Sequence, residues 1–117
     1  MIDAVDYVSL PVADLGRAVT FYERVLGIPC ACHLVDRWAE FVIGSVRLSL
    51  YPREGDDGRG GEIGLRAAQI EVEMERLKSL GVEFRHGIEE FDVRGQTGRL
   101  VRFCDPFGNR LELISRK

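Results

Sequence analysis

Asp6-Tyr7-Val8-Ser9-Leu10-Pro11-Val12-Ala13-Asp14-Leu15 opens the first of two segments that look like one part used twice. It leads into a helical pattern that stops at Leu26-Gly27-Ile28. Glu62-Ile63-Gly64-Leu65-Arg66-Ala67 opens the second, which runs through another helical pattern to Leu80-Gly81-Val82. Strand-like stretches follow each helix and close at Val46–Tyr51 and Arg110–Ser115. A repeat of this length, in strand-helix-strand-strand-strand order, limits the fold more than any single residue does. The expectation is an α+β fold with two tandem βαβββ modules forming a curved mixed sheet around a cleft. It is a single domain over 1–117, with module 1 at 1–52, a linker at 53–61 and module 2 at 62–117.

Working outward from Tyr7, the first strand spans Val5–Leu10. Asp14 is placed to cap a helix over Leu15–Leu26, with Leu15, Val19, Tyr22 and Leu26 as its apolar stripe. Gly27 and Pro29 end it. Ala31–Leu34, Trp38–Ile43 and Val46–Tyr51 read as strands, and Gly44-Ser45 as a tight hairpin. Pro52 to Gly61 is polar and aperiodic. Glu62–Ala67 is the fifth strand and Gln69–Leu80 the second helix, with Ile70, Met74 and Leu77 inward and Glu71, Glu73, Glu75 and Lys78 on a solvated face. Glu83–His86 continues as strand, Ile88–Thr97 as loop or irregular edge, and Gly98–Cys104 with Arg110–Ser115 closes around Asp105-Pro106-Phe107-Gly108-Asn109.

Side chains on a strand alternate between faces, so parity sorts the residues. Val8, Leu10, Leu48, Leu50, Ile63, Leu65, Leu111 and Leu113 form apolar sets facing the helices. Tyr7, Ser9, Arg47, Ser49, Tyr51, Glu62, Arg66, Arg110 and Glu112 share the other face. An antiparallel sheet with one wetted face shows the same alternation. Tyr7, Tyr51 and Trp38 are large and apolar for that role, and a concave face mixing aromatic rings with a few polar groups describes a small-molecule site.

Composition narrows the field. The 117 residues carry 45% hydrophobic and 30% charged side chains, enough for one core in water. Net charge is −3, from 19 acidic and 16 basic residues, with no basic footprint for nucleic acid. No apolar run is long enough for a membrane span, and the start of the chain is not signal-like, so a cytoplasmic location is expected. Cys30, Cys32 and Cys104 read as free thiols used as small packing residues. His33 and His86 read as structural or surface residues.

Tyr7 to Leu15, with Ala18, Phe21-Tyr22 and Leu26-Gly27, resembles the opening of the vicinal oxygen chelate superfamily, the group of glyoxalases, bleomycin-resistance proteins and extradiol dioxygenases. Asp105-Pro106-Phe107-Gly108-Asn109-Arg110-Leu111-Glu112-Leu113 resembles its closing signature. The resemblance covers essentially the whole chain and implies the glyoxalase/bleomycin-resistance fold, a small-molecule ligand and a homodimer. It also implies metal ligands at Tyr7, Ser49, Glu62 and Glu112, the matching points of the first, fourth, fifth and eighth strands. His is usual at the first of these, an acid is common at the second and His frequent at the third. Only Glu112 keeps the usual type. Two carboxylates, a serine and a phenol are a poor donor set for a transition metal, so no cofactor is expected beyond a weak divalent ion, magnesium or manganese, at Glu62 and Glu112.

Two functions follow as expectations. One is a binding protein of the bleomycin-resistance type that sequesters an aromatic or cationic compound with Tyr7, Ser9, Trp38, Phe41, Ser49, Tyr51, Glu62, Arg102 and Glu112. The alternative is a glyoxalase- or epimerase-like enzyme moving a proton next to a carbonyl, with Glu62 and Glu112 as the acid–base pair and Tyr7 as a hydrogen-bond donor. An ion pair from Arg102 or Arg110 to the two glutamates is the competing structural use of those carboxylates.

Overall fold

Leu10 and Val12 alternate with Ser9 and Pro11, and that period of two builds the first strand, β1 (Tyr7–Val12). The computed structural model describes residues 5–54 and 62–117; most of the expected linker, Gly55 to Gly61, lies outside the described residues. The order continues with α1 (Leu15–Thr20), β2 (Cys30–Leu34), β3 (Trp38–Ile43) and β4 (Val46–Pro52). The second set is β5 (Glu62–Arg66), α2 (Ile70–Ser79), β6 (Glu89–Val93), β7 (Gln96–Cys104) and β8 (Arg110–Arg116). Two four-stranded mixed sheets result, ordered β1-β4-β3-β2 and β5-β8-β7-β6. In each, the first strand pairs parallel with the last and the other pairs are antiparallel. The expected α+β pair of βαβββ modules is the observed architecture.

The chain divides into two compact units. One gathers the described residues before Glu62 together with Pro106–Asn109; the other holds Glu62–Asp105 and Arg110–Lys117. In the first unit Asp14 caps α1, its carboxylate accepting from the Arg17 N–H at 3.1 Å. The helix does not run to Leu26 in α geometry. It widens into one π-helical turn over Phe21–Val25, where the Leu26 N–H reaches the Phe21 carbonyl at 3.0 Å. This turn carries Tyr22, which is wholly buried against Phe41 at 5.8 Å between ring centroids. Gly27 then takes the left-handed conformation, φ 78°, that ends the helix. The β7–β8 turn serves this unit as well: Asn109 Nδ2 donates to the Pro11 carbonyl at 2.7 Å, and Arg17 lies over the Phe107 ring.

In the second unit Ile70 and Leu77 of α2 are buried with Val101, Phe103, Leu111 and Leu113. Glu71 is not simply solvated, because it pairs with Arg99 on β7 and ties helix to sheet. Two sequence expectations are corrected. Glu83–His86 forms no strand; Phe84 makes a single bridge to Phe103. The sixth strand is Glu89–Val93, a regular edge strand inside the segment expected to be loop or irregular edge. Its hairpin turns on Arg94 and Gly95, with φ of 54° and 81°, and the Gly95 N–H donates to Asp92 Oδ1 at 3.0 Å. Two successive positive φ values are what a two-residue hairpin needs to match strand twist.

Candidate functional site

Strand register decides which side chains meet. In the first unit Ser9 pairs with Ser49, Ser49 with Glu40, and Glu40 with Cys32. Paired residues share a face, so one polar row crosses all four strands on the side away from α1. Tyr7 and Arg47 lie on one side of that row; Pro11, Tyr51 and Trp38 lie on the other. The Tyr7 and Trp38 rings meet edge-on, with centroids 6.0 Å apart and planes at 79°. Ser49 is 0% exposed, and its hydroxyl has no hydrogen-bond partner among the described residues. A buried hydroxyl left unpaired costs about 1–3 kcal/mol, so this position calls for a partner.

Phe41 is the correction in this set. Expected among the ligand-facing aromatics, it pairs with Leu48 on the helix side and is fully buried. Trp38 and Phe41 are three residues apart, an odd step that puts them on opposite faces of β3. Cys32 is exposed rather than packed, and Cys30, Cys32 and Cys104 are free thiols. Burial pushes the Cys30 thiol up. His33 and His86 are both exposed.

In the second unit, the face away from α2 collects Glu62 and Glu112, as parity required, together with Arg102. Arg102 lies directly opposite Glu112 on the neighbouring strand. Its guanidinium Nη1 donates to Glu89 Oε2 at 2.7 Å, and Nε lies 3.5 Å from Glu62 Oε1 and 3.8 Å from Glu112 Oε2. Glu89 is the residue that sequence reasoning missed, because its segment looked like loop. The usable signal was the alternation of Glu90 and Asp92 with Phe91 and Val93, a period of two. Gly64 pairs with Glu112, and a Cβ there would sit 3.3 Å from Glu112 Oε1, so the absent side chain leaves room for the carboxyl.

Burial pushes the Glu112 carboxyl up, and a hydrogen bond to Glu62 and the charge of Glu62 add to this against the pull of Arg102 and Arg116. The hydrogen bond to Arg102 holds its guanidinium firmly protonated, with Glu89 as the main cause. Because the Glu112 pKa is raised on folding, the native state keeps that proton to higher pH than the unfolded chain does. Stability therefore falls as pH rises from 4.5, the ordinary glutamate value, through the raised folded value. Urea unfolding across that window should show wild type losing stability relative to Glu112→Gln as pH rises. Parallel pH profiles for the two proteins would contradict the raised carboxyl.

The repeat, the paired sheets and the closing turn agree with a family model, Glyoxalase/Bleomycin resistance protein/Dioxygenase superfamily, which matches residues 4–113. The chain belongs to that superfamily. Several solved structures share its fold. A lactoylglutathione lyase from Agrobacterium tumefaciens is 22% identical, with a TM-score of 0.77 over 98% of this chain and 95% of that one. A superfamily member from Sphaerobacter thermophilus is 26% identical, with a TM-score of 0.77 over 97% and 98%. The fosfomycin resistance protein FosX from Listeria monocytogenes is 20% identical, with a TM-score of 0.77 over 98% and 94%. No curated protein sequence matches the chain. Among the described residues, no helix is long and apolar enough to cross a membrane.

The metal ligand positions that the superfamily resemblance implies can be tested on donor chemistry. Metal ligation needs deprotonated carboxylates with open lone pairs. Glu62 and Glu112 instead share a hydrogen bond that favours a proton on Glu112, and a guanidinium already faces both. Tyr7 is 51% exposed and Ser49 brings a neutral hydroxyl. This set does not fit a tightly held transition metal. Among the described residues, no group of three His, Cys, Asp or Glu side chains is placed to hold a metal ion.

Proposed function

We propose that this protein is a binding protein of the bleomycin-resistance type, holding a planar aromatic compound with cationic character on the face of the first unit away from α1, without a tightly bound transition metal. The observation that carries this reading is the buried Ser49 hydroxyl without a partner, flanked by Ser9 and Glu40 and bordered by the Tyr7 and Trp38 rings. The hydroxyl supplies a directional hydrogen bond, the Glu40 carboxylate attracts positive charge, and the rings offer stacking surface. Each aromatic contact with a cation contributes about 0.5–2 kcal/mol, so the rings must act together.

Trp38 is the single tryptophan of the chain, so its emission reports on this face alone. Planar aromatic cations such as berberine and proflavine should quench it saturably. By calorimetry, Trp38→Ala should weaken binding about tenfold, in line with one lost stacking contact. Ser49→Ala should weaken it as well, while keeping the fold. Absence of saturable quenching, or an unchanged affinity in Trp38→Ala, would sink the proposal.

The second unit favours one other reading. A carboxyl raised by burial beside a second carboxyl is the arrangement that proton transfer next to a carbonyl uses, with Glu112 as acid and Glu62 as base. Conversion of a bound carbonyl compound, lost in Glu112→Gln with binding intact, would make this the leading function.

A further inference from the structure

Tyr7, Ser49 and Trp38 lie on neighbouring strands, with β4 and its Ser49 in the middle. Ser9, the partner of Ser49 on β1, comes two residues after Tyr7; Glu40, its partner on β3, comes two residues after Trp38. β1 runs parallel to β4 and β3 antiparallel to it, so Tyr7 and Trp38 flank Ser49 from opposite ends. All three share the face away from α1, and the line from Tyr7 to Trp38 crosses Ser49. The two rings meet, with centroids 6.0 Å apart and planes nearly perpendicular. Rings that meet from those positions close above the serine, which accounts for its 0% exposure. Two opposing effects set how firmly they stay closed. Edge-to-face contact favours closure. The Ser49 hydroxyl, buried with no partner among the described residues, favours opening, because water then reaches it. The effects are of similar size, so an open state lies close in free energy. Tyr7 is 51% exposed, and its ring can turn outward without disturbing the buried core.

We propose that the Tyr7–Trp38 pair is an aromatic gate over Ser49, closed in this structure, which must open before anything can hydrogen-bond to that hydroxyl. The inference deepens the proposed function by giving its site a closed state, and it rests on that reading only for the identity of the ligand. An edge-on pair also covers one ring's face with the other's edge, so a single motion uncovers a stacking face and the hydroxyl together. A ligand that needs both binds the open state alone, and its apparent affinity falls in proportion to the open fraction.

Ser49→Cys reports on the gate without any ligand. Alkylation by iodoacetamide is followed by peptide mass spectrometry, which separates residue 49 from Cys30, Cys32 and Cys104. With both rings present, residue 49 should react far more slowly than the exposed Cys32. Adding Tyr7→Ala or Trp38→Ala should speed it about three- to tenfold, the population shift expected from losing one ring pair. Tyr7→Phe retains the ring and should label as slowly as the parent. Cys104, in the second unit, should keep its rate throughout. Fast labelling with both rings present would overturn the proposal, as would slow labelling that neither truncation relieves. A rise at residue 49 matched at Cys104 is loosening of the whole chain and counts against the gate. Acrylamide quenching of Trp38, the single tryptophan, needs no introduced cysteine. Its quenching constant should rise in Tyr7→Ala, and an unchanged constant would also overturn the proposal. No aromatic compound enters either experiment, so their failure is separate from a failure of the Trp38 binding experiment.

Discussion

Phe41→Ala is expected to lower the unfolding free energy by about 3–5 kcal/mol, the range for removing a buried aromatic ring. Phe41 is 0% exposed and stacks at a tilt on Tyr22, itself 0% exposed. Tyr22 in turn meets Phe21 edge-on at 5.4 Å, so the ring is the centre of a three-aromatic cluster beneath the π-helical turn. Truncation removes the transfer energy of the ring and leaves a cavity that β3 and the helix can only partly close. Urea denaturation measures the loss directly. The ligand affinity of the folded fraction should stay close to wild type, in contrast to Trp38→Ala on the other face of the same strand. A stable Phe41→Ala protein that has lost ligand binding would instead return Phe41 to the binding face.

Gly98→Ala should cost about 2–4 kcal/mol, from overpacking at a fixed backbone position. A Cβ at residue 98 would stand 2.3 Å from the Ser115 carbonyl oxygen and 2.7 Å from Phe91 Cζ. Phe91 lies opposite Gly98 in the β6–β7 ladder, with the Arg116 guanidinium 5.6 Å from its ring centroid. The ring can swing aside, but Ser115 belongs to a strand hydrogen-bonded to β7, so its oxygen cannot retreat without breaking the ladder. The reason for glycine here is close approach rather than an unusual φ. The test is therefore a pair of measurements. Most of the destabilisation should persist when Gly98→Ala is made in a Phe91→Ala background, because the carbonyl contact remains. If the penalty vanishes there, the ring rather than the backbone is the constraint.

Much of this was legible from residues. Parity in β1, β4, β5 and β8 placed Tyr7, Ser9, Ser49, Tyr51, Glu62 and Glu112 together on the side away from the helices; strand register gathers the first four in one sheet and the two glutamates in the other. Asp14, Gly27 and Gly81 marked helix boundaries that the structure reproduces to within a residue or so, apart from the π-helical end of the first helix. The misreadings have separate causes. Phe41 was grouped with Trp38 by residue type, although their spacing on a strand already separated them. The strand Glu89–Val93 was hidden by three acidic residues in five, which are tolerated because it is an edge strand with most of its side chains in water. The α-to-π change at Phe21 has no pattern of its own in the sequence; the turn it forms carries Tyr22, which packs on Phe41.

The sequence by itself determined the repeat, the α+β class and the face of each strand residue, because those depend on local periodicities of two and 3.6 that any chain stretch displays. Only the tertiary structure decided which polar groups are paired. Arg102 meets Glu89, thirteen positions away in sequence, and Glu62, forty away, because β5, β6 and β7 enter one sheet. Ser49 is buried without a partner among the described residues, although Ser9 and Glu40 lie beside it across the strands. Pairing and desolvation are properties of residues far apart in the chain, so they arise only when the sheets close.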